Sequence, residues 1–364
     1  MDKAKRYSNI NLALSLTGTI LGWVFLGAIV FFGFTKIVEQ WSFSVTSSSY
    51  LALLVFAGIL GVIETVLFFP LSFYSGYLLE HKYELSNLNL KTYFWEKVKA
   101  LLVGIIIGVP VLLVFYYLLN TYQNWWWLSV GIFMFFFSVI LGRLAPTLIF
   151  PIFYKFDPIE DESLVSIISK RCQSVGMKIT GVFKFNLSKT TKKANAAFTG
   201  IGKSKRVIIG DTLIDNFNQE EIDAILSHEL GHFKLKHLWK MMALGTTVTF
   251  IGLYVVSLVY LKSVSVWDFD GITQLAALPL LALLLGVYGF LVGPIQNAVS
   301  RHYEYAADRF SLDLAGDKGS MISSLEKLAD QNLADRDPHS IVEFLFHSHP
   351  SIKHRVTRLK AYNF

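Results

Sequence analysis

A short motif in the middle of the chain carries the residue types of a metal hydrolase. Positions 228–232 read His228-Glu229-Leu230-Gly231-His232, the pattern H-E-x-x-H. On a helix, side chains four residues apart leave the same face, so both imidazoles can bind one zinc ion. Glu229 is rotated by about 100° from His228, so its carboxylate can reach a water on that metal and act as general base. We therefore predict a helix here that carries a hydrolytic zinc site.

A catalytic zinc site also needs a third protein ligand and an open position for water. The best candidate lies in the segment R-H-Y-E-Y-A-A-D at 301–308, where Glu304 and Asp308 are four residues apart. Glu304 can bind the metal while Asp308 accepts the free ring N–H of a ligand histidine. His237, five residues after His232, falls off the ligand face. From spacing alone, the two carboxylates can equally be a solvated pair flanked by arginines.

A second histidine cluster lies near the C-terminus. Positions 347–350 read H-S-H-P, and His354 and Arg355 follow. Peptide hydrolysis places negative charge on the carbonyl oxygen, and His349 and Arg355 can donate hydrogen bonds to it. Ordinary surface residues would give the same pattern, so this prediction is weaker than that for the zinc helix.

The composition indicates that these motifs belong to a membrane protein. Of the 364 residues, 53% are apolar and 16% are charged, against about 25% charged in ordinary soluble domains. A spanning helix needs about 20 mostly apolar residues. Six segments qualify, at 10–38, 50–79, 98–119, 125–150, 238–261 and 275–299. A single cysteine, Cys172, excludes an internal disulfide framework.

The distribution of basic residues predicts the orientation. Lysine and arginine concentrate at the N-terminus, in the second loop, between 155 and 236, and in the C-terminal region, while the other loops are neutral or acidic. By the positive-inside rule, both termini and the zinc domain face the cytosol. This also accounts for the net charge of +6 without nucleic acid as a partner. Glu64 and Arg143 lie within spans, where an ionisable group should face a cavity or a partner.

The remaining sequence predicts a discontinuous α+β domain. Helical patterns occur at 157–176, from Asn218, and at 301–315, 320–330 and 341–346; strand-like runs occur at 182–187, 194–199 and 206–209. The predicted parts are a membrane part at 1–150, a soluble part with the zinc helix at 151–237, two spans at 238–300 and a helical part completing the site at 301–364.

These motifs resemble those of the CAAX prenyl protease 1 family, the type I CaaX zinc endopeptidases of membranes. The resemblance runs from about 51 to the C-terminus. Besides the zinc motifs and S-H-P at 348–350, it covers P-L-S-F-Y-S at 70–75, L-L-E-H-K-Y-E-L at 78–85, P-I-F-Y-K-F-D-P-I-E-D at 151–161 and N-A-A-F-T-G-I-G-K-S-K-R-V at 195–207.

The resemblance implies roles for individual residues. Glu304 would be the third zinc ligand and Asp308 would support a ligand histidine. His349 and Arg355 would contact the substrate or its intermediate. Asn195 and Ala196 would lie on an edge strand that binds a peptide by β-augmentation.

The resemblance also implies the architecture. The family fold is a ring of membrane-spanning helices around an intramembrane chamber, capped by the zinc domain. We therefore expect about six transmembrane helices around such a chamber and a zinc metalloprotease domain with a small β-sheet. Eukaryotic members have seven spans, and six here favour a compact, bacterial-type member, in an inner membrane rather than the endoplasmic reticulum.

The predicted function is that of a zinc metalloendopeptidase with one zinc ion per chain. It would hydrolyse peptide bonds near the C-terminus of CaaX-type, prenylated proteins or peptides. Two alternatives stay open: a membrane quality-control zinc protease without a prenyl requirement, and a non-catalytic zinc-containing binding protein. Site-2-type proteases are disfavoured, because their L-D-G motif is absent and Leu312-Asp313 is followed by Leu314. The expected partners are a peptide or protein substrate and the lipid bilayer; the sequence gives no oligomeric state.

Overall fold

A computed structural model describes residues 2–200 and 205–362, so positions 201–204 of the motif at 195–207 lie outside the described residues. The first part of the chain is helical. Its helices are α1 (Lys3–Phe31), α2 (Phe34–Val45), α3 (Ser49–Lys82, with a π-helical turn at Tyr74–Leu78), α4 (Leu90–Thr121) and α5 (Trp126–Phe153, with a second π-helical turn at Ala145–Ile149).

The rest of the chain alternates between a small soluble domain and two further long helices. In chain order the elements are β1 (Phe156–Pro158), α6 (Glu162–Ser174), β2 (Val182–Phe185), β3 (Ala196–Thr199), β4 (Arg206–Gly210), α7 (Asp211–Asn216), α8 (Gln219–Lys234), α9 (His237–Val266), α10 (Leu278–Ala315), α11 (Lys318–Gln331), α12 (Ser340–Phe346) and α13 (Ile352–Ala361).

Six helices among the described residues are long and apolar enough to cross a membrane, as predicted. They follow one another around a closed ring in the order α1, α3, α4, α5, α9 and α10, and α10 packs again on α1. In each span, at most 33% of the most apolar stretch is buried within the protein. Six long apolar helices thus form a closed ring. The predicted fold class is therefore confirmed.

The first span is shorter than predicted. The expected segment at 10–38 is divided, because α1 ends at Phe31 and Gly33 adopts a left-handed φ of +69° before α2 begins. Glycine takes this conformation without a steric penalty. Apolar residues on both sides of the turn, such as Phe32 and Phe34, conceal it from a hydropathy analysis. With 12 residues, α2 is too short to span a membrane.

The soluble domain contains a four-stranded mixed sheet in the order β1-β2-β4-β3. Its core packs α6 and α8 against the sheet, with Leu164, Ile168 and Cys172 on the buried face of α6. β3 pairs antiparallel with β4 and lies at one edge of the sheet. This edge position is the feature of the sheet that matters for the site. The sequence patterns did not predict β1 or α13.

The zinc helix begins where the sequence predicts. Asn218 accepts a hydrogen bond from the Glu221 N–H, and the Glu221 carboxylate accepts from the Asn218 N–H, which completes a capping box. The span predicted at 275–299 and the helix predicted at 301–315, by contrast, form one helix. α10 continues through Pro294 for 38 residues, about 57 Å at 1.5 Å per residue. The predicted boundary at 300 falls inside this helix, which extends from the membrane to the site.

Candidate metal centre

Two helices meet at a glycine to form the site. Gly231 of α8 lies against Ala307 of α10: a Cβ at position 231 would lie 3.1 Å from the Ala307 Cα and 3.2 Å from its carbonyl oxygen. Only a residue without a side chain allows this approach. The approach brings the histidines of α8 to the carboxylates of α10.

Three predicted ligands converge at this contact. His228 Nε2 lies 3.3 Å from Glu304 Oε2, His232 Nε2 lies 3.2 Å from Glu304 Oε1, and the two Nε2 atoms are 3.2 Å apart. Ligands placed 2.0–2.1 Å from a tetrahedral zinc ion would be about 3.3 Å from one another. The spacing and the donor set of two imidazoles and one carboxylate therefore fit zinc.

The carboxylates of Glu304 and Asp308 beside His228 also favour a bound cation. Its Nδ1 lies 2.8 Å from Asp308 Oδ1, so the neutral ring would carry its proton there and turn an Nε2 lone pair toward Glu304. Among the described residues, Glu304 Oε2 is a buried oxygen without a hydrogen-bond partner. Burial lowers the pKa of His228, but the adjacent carboxylates of Asp308 and Glu304 outweigh this effect and raise the pKa to about 9. Either a proton or a metal ion would neutralise this site.

Asp308 joins the centre to the C-terminal helix. Arg355, in the first turn of α13, donates from Nε to Asp308 Oδ2 at 2.8 Å and from Nη2 to Oδ1 at 2.5 Å. Both side chains are buried. The third guanidinium nitrogen, Nη1, lies 3.8 Å from Glu304 Oε2 and also lies beside the metal centre. A buried pair with this geometry fixes both the His228 ring and α13.

His237 has a position that sequence spacing did not predict. It lies outside the three-residue ligand group, as expected, but its Nδ1 is 3.1 Å from His232 Nδ1. Its ring stacks on Tyr303 with 4.4 Å between ring centroids. His237 can therefore orient His232 as Asp308 orients His228. The turn at Lys236, with φ of +57°, brings the ring back to the site, and no local pattern indicates this.

His349 reaches the same carboxylate from the other side. Its Nε2 lies 3.3 Å from Glu304 Oε1, although most of the side chain is exposed. Arg301 holds this segment in place, because its Nη1 donates to the carbonyl oxygens of Glu343 and His347. The fold thus brings His349 and Arg355 to the metal centre, as predicted from the sequence. Two of the three Arg355 guanidinium nitrogens donate to Asp308.

A pocket of about 250 Å³ joins the centre to the edge strand. Its lining includes Glu229, Asn195 and Ala196 together with His228 and Glu304. Just before β3, Lys193 pairs with Glu80 of α3 and Tyr7 of α1, at 2.9 Å in each case. The strand that borders the pocket is therefore tied to two membrane helices.

The two ionisable residues predicted within spans are not part of this centre. Glu64 on α3 and Arg143 on α5 both have exposed side chains. Their role stays a prediction.

We expect Asp308→Asn to weaken metal binding by about 10- to 100-fold, as loss of a hydrogen-bonded carboxylate behind a ligand histidine typically does. The substitution keeps the side-chain volume but leaves the Arg355 charge buried and uncompensated. Competition with a chromogenic chelator would measure the affinity. Asp313→Asn, an exposed position on the same helix, is the control. An unchanged affinity of Asp308→Asn would contradict the role given to this carboxylate.

Comparisons with known proteins agree with this geometry. Residues 158–363 match peptidase family M48, and residues 1–155 match the CAAX prenyl protease N-terminal domain, described as five membrane helices. The two matches, the six long helices and the His-His-Glu group define an integral membrane metalloprotease. The chain belongs to peptidase family M48, with the N-terminal domain of the CAAX prenyl proteases.

Individual relatives cover most of the chain. The uncharacterized metalloprotease YhfN of Bacillus subtilis is 30% identical over 97% of this chain and 84% of its own length. CAAX prenyl protease 1 of Saccharomyces cerevisiae is 28% identical over 84% of this chain and 71% of its own length. The crystal structure of S. mikatae Ste24p superposes with a TM-score of 0.86 at 25% identity, covering 99% of this chain and 90% of that chain.

The family description counts one membrane helix more than the spans found in this region. It gives five membrane helices for a region that here has five helices, of which four are long enough to span. The remaining one is α2.

Proposed function

We propose that this protein is a zinc-dependent endopeptidase that cleaves near the C-terminus of CaaX-type, prenylated peptides or proteins. The observation that carries the proposal is the convergence of His228, His232 and Glu304 within 3.3 Å, beside a pocket that is also lined by Glu229 and an edge strand. Zinc held by these three residues would supply Lewis-acid activation of the attacking water and of the scissile carbonyl. We propose one such ion per chain.

The protein's own residues would move the proton and stabilise charge. Glu229 accepts a proton from the attacking water and later gives it to the leaving amine. Because Glu229 borders the pocket without belonging to the ligand group, its carboxylate is available for this task. His349 Nε2 and the Arg355 Nη1 not bonded to Asp308 donate to the carbonyl oxygen as negative charge develops on it.

The edge strand would hold the substrate. Asn195 and Ala196 line the pocket beside Glu229, and in the part of the chain that the structure describes β3 has a strand on one side only. An extended peptide can add to such an edge through main-chain hydrogen bonds. The carbonyl to be attacked would then lie in the pocket with the ligand group.

The prenyl requirement and the cellular membrane are inferred from relatives. The yeast relative is named for CAAX prenyl proteolysis, and the six apolar helices of the ring would give a hydrocarbon chain an apolar environment. The Bacillus relative covers nearly the whole chain, which supports a bacterial cell membrane. The basic loops support a cytosolic zinc domain and cytosolic termini.

The test compares a farnesylated CaaX peptide with its unprenylated twin, using the full chain purified in detergent. We expect cleavage of the farnesylated peptide at least about tenfold faster, complete loss with a chelator, and recovery with one equivalent of zinc. Equal cleavage of the twins would favour a quality-control protease. Failure to cleave either peptide, with zinc bound, would favour a binding protein.

A further inference from the structure

The edge of β3 that pairs with no strand among the described residues, here called the free edge, has a defined hydrogen-bonding pattern. Gly210 donates its N–H to the Asn195 carbonyl at 2.9 Å, so residue 195 faces β4. In an antiparallel pair, successive residues alternate between facing the partner strand and facing away from it. The backbone groups of Ala194, Ala196 and Phe198 therefore point toward the free edge. These are the positions at which an added peptide would pair.

One of these positions is already taken by a side chain. The Ala194 N–H donates to Asn332 Oδ1 at 2.9 Å, and Asn332 Nδ2 donates to the Ala194 carbonyl at 3.3 Å. The side-chain amide thus makes both bonds that the backbone of a neighbouring strand would make. The free edge begins only at Ala196.

The fold holds Asn332 in place. It caps the C-terminus of α11, and Leu333 follows with φ of +49°. A leucine in the left-handed region is strained, and such strain persists only where the surrounding structure imposes it. Leu333 packs in a cluster with Tyr7 and Tyr83 from the membrane part of the chain. The Asn332 side-chain amide therefore stays in one position and blocks strand pairing at Ala194.

We propose that Asn332 ends the substrate-binding edge of β3 and so selects peptides with a short tail after the cleaved bond. This rests on the proposed function. A peptide that pairs antiparallel with β3 runs from beside Thr199 toward Ala196, with its C-terminus directed at Asn332. From Ala196 to Ala194 an extended chain advances only about 6.7 Å. A longer tail has to leave the edge and lose its backbone pairing.

The pocket wall indicates which tails fit. Apart from the metal centre and the edge strand, the lining comes from Leu213 and Ile225 and from Met321, Ser324, Leu325 and Leu328 on α11. All of these side chains except Ser324 are apolar. The tail favoured by this wall is short and carries apolar residues.

The test measures the effect of tail length on cleavage. The probes are the farnesylated CaaX peptide and the same peptide extended at its C-terminus by two, four and six residues. Mass spectrometry reports the cleaved bond, and kcat/KM is compared between the unextended and the longest peptide. Only active molecules contribute to this ratio, so partial unfolding does not change it. Asn332→Ala removes both hydrogen bonds to the Ala194 backbone. Asn332→Asp keeps an oxygen that can accept from the Ala194 N–H but loses the donor to the Ala194 carbonyl.

The control is Gln331→Ala. Gln331 donates to the Lys192 carbonyl at 2.8 Å, so it braces the same segment without occupying the free edge. If Asn332→Ala acted only by loosening this segment, Gln331→Ala would lose the preference for the unextended peptide as well.

We expect wild type to prefer the unextended peptide by about tenfold, the loss expected for one or two hydrogen bonds. The preference should fall below about threefold in Asn332→Ala, be intermediate in Asn332→Asp, and persist in Gln331→Ala. A wild type indifferent to tail length, a preference retained in Asn332→Ala, or the same loss in Gln331→Ala would overturn the proposal. So would inactivity of both Asn332 variants on every peptide. If wild type cleaves none of the peptides, the proposed function itself fails.

Discussion

Glu229→Gln is expected to abolish peptide cleavage while the metal stays bound. The amide has nearly the same size as the carboxylate but cannot take a proton from water at neutral pH. General-base catalysis contributes about 10²- to 10⁴-fold, so we expect kcat to fall by about 10³-fold or more. The ligand group does not include Glu229, and its three donor atoms stay in place. Single-turnover cleavage assays and metal analysis of the same preparation would measure the two effects.

A matched control lies on the same helix. Glu220 is an exposed glutamate in the first turn of α8, remote in sequence from the ligand histidines. Glu220→Gln should leave both cleavage and metal content unchanged. Full activity of Glu229→Gln would contradict its role as general base. Loss of metal together with activity would instead indicate that Glu229 supports the ligands.

The local part of the site could be predicted from the sequence. H-E-x-x-H on a helix fixes the relation of His228, Glu229 and His232 through the helical period alone. Glu304 and Asp308 share a helical face for the same reason. Their distance from the histidines, however, depends on how α8 packs on α10. Spacing therefore left a solvated acidic pair as an alternative.

Contacts made by turns could not be predicted in this way. His237 reaches His232 just after the left-handed turn at Lys236, and Asn332 reaches Ala194 from the end of α11, just before the left-handed turn at Leu333. Neither position carries glycine, the usual sequence signal for such a turn. Strand β1 was also missed, because three residues ending in a proline give no period-two pattern.

The largest structural effect is expected for Gly231→Ala. A methyl group at position 231 would lie 3.1 Å from the Ala307 Cα and 3.2 Å from the Phe310 Cβ. Because the nearest of these atoms is backbone, α8 and α10 have to separate by a few tenths of an ångström. Overpacking of this kind destabilises by about 1–3 kcal/mol, against about 1 kcal/mol gained from the helix propensity of alanine.

The separation also moves Glu304 away from both histidines. Metal affinity should therefore fall by at least about tenfold, as it does when ligand positioning is disturbed. Gly245→Ala is the control, since no atom of the described residues lies within 4 Å of a Cβ there. Thermal unfolding with and without zinc, together with chelator competition, would separate the two effects. If Gly231→Ala bound zinc as tightly as Gly245→Ala, close helix contact would not be what sets the ligand geometry.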